Sequence, residues 1–360
     1  MRSFISRIFG VIAAVKFPKF IQNFINRKYV EFFKIDMSEF DPPQSYASLN
    51  ALFTRRLLRP REIAADERAF ISPSDGVVFE SGCCDDLRAF SVKGCEYSLS
   101  ELLGRTFTAS ESDGADTRDI KNSDDAAVTT NGSGEVGTGC AKDAGAGMKF
   151  RAAQAKIIGD KNGATYSASG VQAEIYSDKS GASRETSTIG AQDGENTKGV
   201  NLSYANIYLS PRDYHHYHAP CDLSVLQALY IPADLYSVAK KFLLKIPNLY
   251  AKNERVILKC KMPGGGILWM VFVGALNVGK MRFDFDARIQ TNACASRAEA
   301  LYEYENLNFK KGDHLGNFEL GSTIVLVAQS EFLKFEISAD TSVKFGQKIA
   351  EFNEISQNSI

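Results

Sequence analysis

The sequence predicts an α+β protein with a β-rich core, and three observations carry that expectation. Short apolar runs at 205–209, 223–231, 255–260, 267–273 and 323–328 are rich in β-branched residues or alternate, and Gly, Pro, Asn or Asp bounds them. The first 34 residues instead repeat apolar side chains at helical spacing. The chain has 360 residues, 44% of them hydrophobic, with 42 basic against 43 acidic side chains. That is enough apolar material for one large or two modest cores, and a helical front on a strand-rich body is the α+β class.

The front end, residues 1–40, is taken first. Arg2, Arg7, Lys16, Lys19, Arg27, Lys28 and Lys34 face a single acid, Glu31, within residues 1–34. Phe4, Ile5, Ile8, Phe9, Ile12 and Val15 recur on one helical face, Pro18 interrupts, and Phe20, Ile21, Phe24, Ile25 and Phe32 resume the pattern. Two readings are open on pattern alone: a pair of helices lying in the surface of an anionic membrane, or a pair packed on the protein's own core. The apolar run 9–15 is too short to cross a bilayer, and Lys16 and Lys19 directly after it make a poor signal peptide.

Residues 41–104 form the first part of the catalytic domain. Residues 105–199 are a different material, with no Leu, Pro or Trp and with 14 of the chain's 28 glycines. Such a stretch buries too little apolar surface to offset its ordering entropy, so a flexible low-complexity insertion is expected, with short strand-like patches such as 171–176. Residues 200–360 return to strand patterning and complete the catalytic domain.

Composition excludes some classes. A formal net charge of −1 and a pI near 6.5 argue against nucleic acid as a partner. Seven scattered cysteines without CxxC or Cys/His spacing read as reduced thiols, and no metal is expected.

Three segments could carry chemistry. Of the four histidines, three fall at His215, His216 and His218, within the run 211–220. On a strand His216 and His218 would share one face and His215 the other, whereas a turn would let all three converge. Histidine suits proton transfer near neutral pH, and a metal site would need a second half that no carboxylate or Cys cluster supplies. In the run 311–323 a polar, glycine-punctuated lead enters an apolar strand. Gly321 before Ser322 leaves a sterically open carbonyl next to a hydroxyl, although Gly-Ser-Thr alone is a common tripeptide. In the run 71–78 Asp75 precedes Gly76, which read alone is a turn signal.

Taken in order, the motifs resemble the phosphatidylserine decarboxylases over about residues 45–104 and 200–335. They are Phe53-Thr-Arg-Arg-Leu57, Ser72-Pro-Ser-Asp-Gly76, Val92-Lys-Gly-x-x-Tyr-Ser98 with Leu102-Leu-Gly104, Tyr208-Leu-Ser-Pro-Arg-Asp-Tyr-His215 with His218 and Pro220, Asn253-Glu-Arg255, Gly274-Ala-x-Asn-Val-Gly279 and Leu320-Gly-Ser-Thr323. The departures are the insertion at 105–199, His216 where arginine is usual, and Leu276 and Lys280 where small or hydroxylated residues are usual.

The resemblance implies a proenzyme that cuts itself between Gly321 and Ser322, with Asp75, His218 and Ser322 as the self-processing triad. Ser322 then becomes a covalent pyruvoyl group, the only cofactor. That group decarboxylates phosphatidylserine to phosphatidylethanolamine through a Schiff base, with His215 as the proton donor. It further implies large and small chains from one proenzyme, a homodimer, and a peripheral or monotopic place on the cytoplasmic face of the cytoplasmic membrane. A bilayer substrate favours the membrane reading of the front end. Against it stand a pyruvoyl enzyme for a soluble amino acid, a serine hydrolase that leaves its own chain intact, and a lipid-binding scaffold without activity.

Overall fold

The computed structural model describes residues 13–84, 90–92, 95–106, 201–276, 280–291, 298–319 and 322–353. Residues 1–12, nearly all of the predicted insertion (107–200, with its patch at 171–176) and the pair Leu320–Gly321 lie outside the described residues.

In chain order the strands are β1 (Ala69–Ile71), β2 (Gly76–Cys84), β3 (Phe90–Val92), β4 (Cys95–Tyr97), β5 (Leu202–Leu209), β6 (His216–His218), β7 (Leu223–Ile231) and β8 (Arg255–Lys261). They continue as β9 (Ile267–Val273), β10 (Met281–Phe283), β11 (Ala300–Phe309), β12 (His314–Phe318), β13 (Ser322–Gln329), β14 (Leu333–Lys334), β15 (Thr341–Val343) and β16 (Lys348–Phe352). The helices are α1 (Lys19–Phe33) and the short α2 (Leu49–Phe53), α3 (Leu99–Leu103), α4 (Lys240–Leu243) and α5 (Leu249–Lys252). The α+β class expected from the sequence is the class observed.

An eight-stranded sheet in the order β11-β7-β8-β9-β13-β5-β2-β15 is the scaffold, antiparallel at every pairing. Its central strands are covered on both faces. Along β13, Ile324, Leu326 and Ala328 pack into one hydrophobic cluster, while Val325 and Val327 pack into the other. In β9, Leu268, Met270 and Phe272 alternate in the same way with Trp269, Val271 and Val273. Two buried faces explain why these strands read as unbroken apolar runs rather than as polar/apolar alternation. The ends of the sheet are the half-exposed β11, which carries Glu303 and Glu305, and the three-residue β15. A charged edge and a short one both discourage further strand pairing.

A three-stranded sheet, β10-β12-β6, supplies Tyr217, Met281, Phe283, Leu315 and Phe318 to the cluster that contains Ile324 and Leu326. The histidine strand therefore lies over the face of the large sheet toward which, by the two-residue period, Ser322 is also turned. Glycine makes two close approaches feasible. A Cβ on Gly316 would sit 1.9 Å from the Arg282 carbonyl oxygen, and one on Gly76 2.6 Å from that of Tyr208. Gly76 is thus the first residue of a strand pressed against β5, a role beyond the turn signal expected of Asp-Gly.

Helix α1 follows Pro18 and ends at Lys34 in the left-handed region. Its buried residues are polar: Gln22 donates to Asn26 Oδ1 (2.7 Å), and Asn26 donates to the carbonyls of Pro43 and Tyr46 (both 2.9 Å). Phe20, Phe24 and Phe32 face outward and are 75%, 64% and 79% exposed. This polarity is inverted relative to a helix packed on its own core. Among the described residues no helix is long and apolar enough to cross a membrane.

Candidate active site

The motif 53–57 forms the bed beneath the histidine strand. Arg55 is buried and donates through Nη2 to the carbonyls of Arg212 (2.5 Å) and Asp213 (3.0 Å), while its guanidinium lies 4.6 Å from the centre of the Phe40 ring. Asp213 Oδ2 accepts from the backbone and hydroxyl of Ser210, both at 2.7 Å, which closes the turn before Tyr214. Phe53 contacts the His215 ring at 3.9 Å between centroids, and the Thr54 carbonyl accepts from His216 Nε2 at 3.1 Å.

Of the strand and turn alternatives for the histidines, the strand is found. His216 and His218 both lie against Tyr214 and His314, on the side opposite Tyr217, and His215 immediately precedes the strand. His215 Nδ1 is 2.8 Å from the Asp213 carbonyl and His218 Nδ1 is 2.9 Å from that of Gly312. A carbonyl only accepts, so each Nδ1 carries the proton and each Nε2 presents a lone pair. On His218 the Tyr214 hydroxyl, 3.1 Å away, donates to that lone pair. On His215, which is fully buried, Nε2 has no hydrogen-bond partner among the described residues. Burial holds both imidazoles neutral, with the His218 pKa lowered to about 3 and that of His215 well below the usual value. Burial also pushes the Tyr214 phenol up, which keeps it a donor.

Ser322 opens β13, opposite Leu209 in β5. Its side chain is fully buried and its Oγ, like His215 Nε2, makes no hydrogen bond among the described residues. A buried polar atom left unpaired costs roughly 1–3 kcal/mol, and such exceptions gather where function needs a group kept free.

Asp75, 8% exposed, is engaged elsewhere than the triad expectation places it. Arg61 grips it with Nη1 on Oδ1 (2.5 Å) and Nη2 on Oδ2 (3.0 Å), and the Phe345 backbone N–H donates to Oδ1 (2.8 Å). Among the described residues no hydrogen bond joins Asp75 to His218 or either residue to Ser322. What links Asp75 to His218 is Phe345, whose ring stacks on His218 at 3.7 Å and 14°. Asp75, His215, His218 and Ser322 are accounted for in this way, and Gly321 lies outside the described residues. Among the described residues the thiols of Cys83, Cys221 and Cys260 are free, and no group of His, Cys, Asp or Glu is arranged to hold a metal ion.

The family model described as phosphatidylserine decarboxylase matches residues 49–122 and 150–351. The chain belongs to the phosphatidylserine decarboxylase family. Relatives named phosphatidylserine decarboxylase proenzyme include one from Campylobacter jejuni, 43% identical over 96% of this chain and 97% of its own, and one from Helicobacter pylori, 37% identical over 97% of both. The mitochondrial phosphatidylserine decarboxylase proenzyme 1 of Saccharomyces cerevisiae is 29% identical over 96% of this chain and 71% of its own. The family match passes over 123–149 and takes in part of the stretch 105–199.

Among the motifs of the phosphatidylserine decarboxylase family quoted above, some are structural. Arg255 is buried and donates to the carbonyls of Glu101, Leu102, Ala251 and Asn253, and Asn253 holds the backbone of Tyr236 and Gly274. Sequence reasoning missed Arg61, Gly312 and Phe345 as partners of the predicted residues. No local spacing could have revealed them, because Arg61 is one of several arginines in 55–61 and the other two are remote in sequence from the groups they touch.

Proposed function

We propose that this chain is a phosphatidylserine decarboxylase made as a proenzyme, which cuts itself between Gly321 and Ser322 and converts Ser322 to an N-terminal pyruvoyl group. The observation that carries the reading is the Ser322 hydroxyl, buried and without a partner among the described residues at the first position of a central strand. Ser322 Oγ attacks the Gly321 carbonyl, and the peptide becomes an ester as the amide nitrogen leaves. Elimination then breaks the Cβ–Oγ bond, releases Gly321 as a carboxylate, and leaves a dehydroalanine that takes up water and loses ammonia. His218 serves as the base for the serine proton, as histidine does in a serine protease but used once in cis, and Asp75 assists by holding Phe345 against the ring while the Gly312 carbonyl takes the Nδ1–H. Its lone pair at Nε2 supports the role, and the Tyr214 hydroxyl that occupies it must yield first.

The residues fit the group, since a buried hydroxyl without a partner is what the conversion consumes. Once formed, the pyruvoyl group supplies a carbonyl for the substrate amine and a sink for the electrons left by carbon dioxide. His215 is the proton donor to the substrate carbon: its Nε2 lone pair first takes up a proton and then passes it on, while the Nδ1–H on the Asp213 carbonyl holds the ring in place and burial favours its return to the neutral form. The substrate is phosphatidylserine in a bilayer and the product phosphatidylethanolamine. The protein sits peripherally on the cytoplasmic face of the cytoplasmic membrane through the outward phenylalanines of α1, as a homodimer of processed units.

Intact mass spectrometry of the wild-type chain beside Ser322→Ala tests the reading. A split at 321/322, with a blocked terminus on the 39-residue fragment 322–360 and absent from the variant, is expected. An uncut, folded wild-type chain overturns it. His218→Ala should stay uncut, whereas His215→Ala should be cut and turn over poorly; the reverse pattern exchanges the two roles.

A further inference from the structure

We propose that Arg61 is the positioning residue of the self-cleavage step: it fixes Asp75, and through Asp75 the Phe345 ring on which His218 rests. The inference depends on the self-processing reading above and assigns a role within it that the motifs do not indicate.

Both oxygens of the Asp75 carboxylate are committed, Oδ1 to Arg61 and the Phe345 N–H, and Oδ2 to Arg61. His218 Nδ1 is committed to Gly312. Among the described residues Asp75 makes no hydrogen bond to the imidazole, and it acts on it mechanically, by holding the Phe345 backbone while the ring lies flat on His218 at 3.7 Å. The fork is fastened at its far side as well. Glu39 accepts from Arg61 Nε (2.8 Å) and Nη2 (2.9 Å) and from Lys344 Nζ (3.1 Å), which ties the residue before Phe345 to the same cluster. Burial opposes the charge on Arg61, but Asp75 and Glu39 more than offset it, so the guanidinium is held more firmly protonated than usual. The side chain of Arg61 is only 10% exposed, so solvent screens the pair less than it would a surface bridge. The planar fork matches the carboxylate at two points, which a lysine ammonium reproduces only in charge. A cleft of about 730 Å³ lined by Glu39, Arg59, Arg61, Lys344 and Phe345 opens beside the cluster, giving the substituted side chains room.

The test follows cleavage of freshly translated full-length chain over time by gel, with Ser322→Ala as the uncut reference and thermal melting as a check on folding. Arg61→Gln should slow cleavage by roughly tenfold or more, since it removes charged hydrogen bonds that preset the base. Arg61→Lys should restore part of the rate, a recovery that general loosening of the fold would not give. Glu39→Gln removes the charge and one acceptor oxygen of the second partner and leaves the Asp75 fork, so it should cleave much faster than Arg61→Gln. Cleavage of Arg61→Gln at or above the wild-type rate overturns the proposal. So does Arg61→Lys no better than Arg61→Gln, or Glu39→Gln as slow as Arg61→Gln. An uncut wild-type chain, or a cut Ser322→Ala, would instead overturn the self-processing reading on which the proposal rests.

Discussion

Replacing Phe20, Phe24 and Phe32 together with serine strips the apolar face of α1 while leaving Gln22 and Asn26, the residues that attach the helix to the protein, untouched. With the three rings 75%, 64% and 79% exposed, and a phenylalanine offering on the order of 200 Å², about 440 Å² of ring surface is free to leave water. At about 25 cal/mol per Å² that is worth ~11 kcal/mol if withdrawn completely, and about half of it for a helix sunk only to the head-group boundary. About 5 kcal/mol corresponds to between three and four powers of ten in partitioning, so any one of the three substitutions alone should cost roughly tenfold. The assay is co-sedimentation with vesicles containing phosphatidylserine, read as the ratio of variant to wild type in the full chain, with melting temperature as the check that the fold survives. Exposed Lys16, Lys19, Arg27, Lys28 and Lys34 add an electrostatic part, so raising salt should weaken wild-type binding further. A triple variant that stays folded and sediments like wild type would refute the reasoning, and α1 would then be a surface for something other than lipid.

Two further outcomes are expected. Arg55→Met keeps the volume and removes the donor to the Arg212 and Asp213 carbonyls, so a loss of about 2–4 kcal/mol in denaturant unfolding is expected, with slower self-cleavage because the turn that leads into His215 is released. Acid should destabilise the protein through its buried histidines. Burial lowers the pKa of His216 to about 4 and of His218 to about 3, so below about pH 6.5 the unfolded chain binds protons that the folded one refuses. Their share of stability is complete above pH 6.5 and is lost as the pH falls from there toward 4 and 3. His216→Gln should flatten the slope of stability against pH in that window by about one proton, and an unchanged slope would show that the imidazole already titrates in the folded state.

The five strands anticipated at 205–209, 223–231, 255–260, 267–273 and 323–328 all appear, as β5, β7, β8, β9 and β13. They were legible because burial on both faces leaves an apolar run bounded by turn residues. β11 was not, since an edge strand with Glu303 and Glu305 half in solvent carries neither an apolar run nor a clean alternation. The short strands β1, β6, β15 and β16 were not singled out either, because a few residues hold too little pattern to separate strand from loop. The candidate residues were legible only through ordered motifs. Asp-Gly, Gly-Ser-Thr and a histidine cluster each mean little alone, and their meaning came from occurring in one order along one chain.

The sequence by itself determined the class, the main strands of the core, the family, the residues to watch, and a front end rich in phenylalanine and lysine. Tertiary structure alone decided the partners. That Asp75 answers to Arg61 and Phe345, that His218 is held by Gly312 and Tyr214, and that α1 buries its amides and turns its phenylalanines out are all facts of contact between segments far apart in the chain. Local pattern records which face of an element is apolar because burial selects for it at a fixed period. It records nothing of which acceptor a buried donor will find, since that depends on a few ångströms of approach between strands set by the packing of the whole sheet.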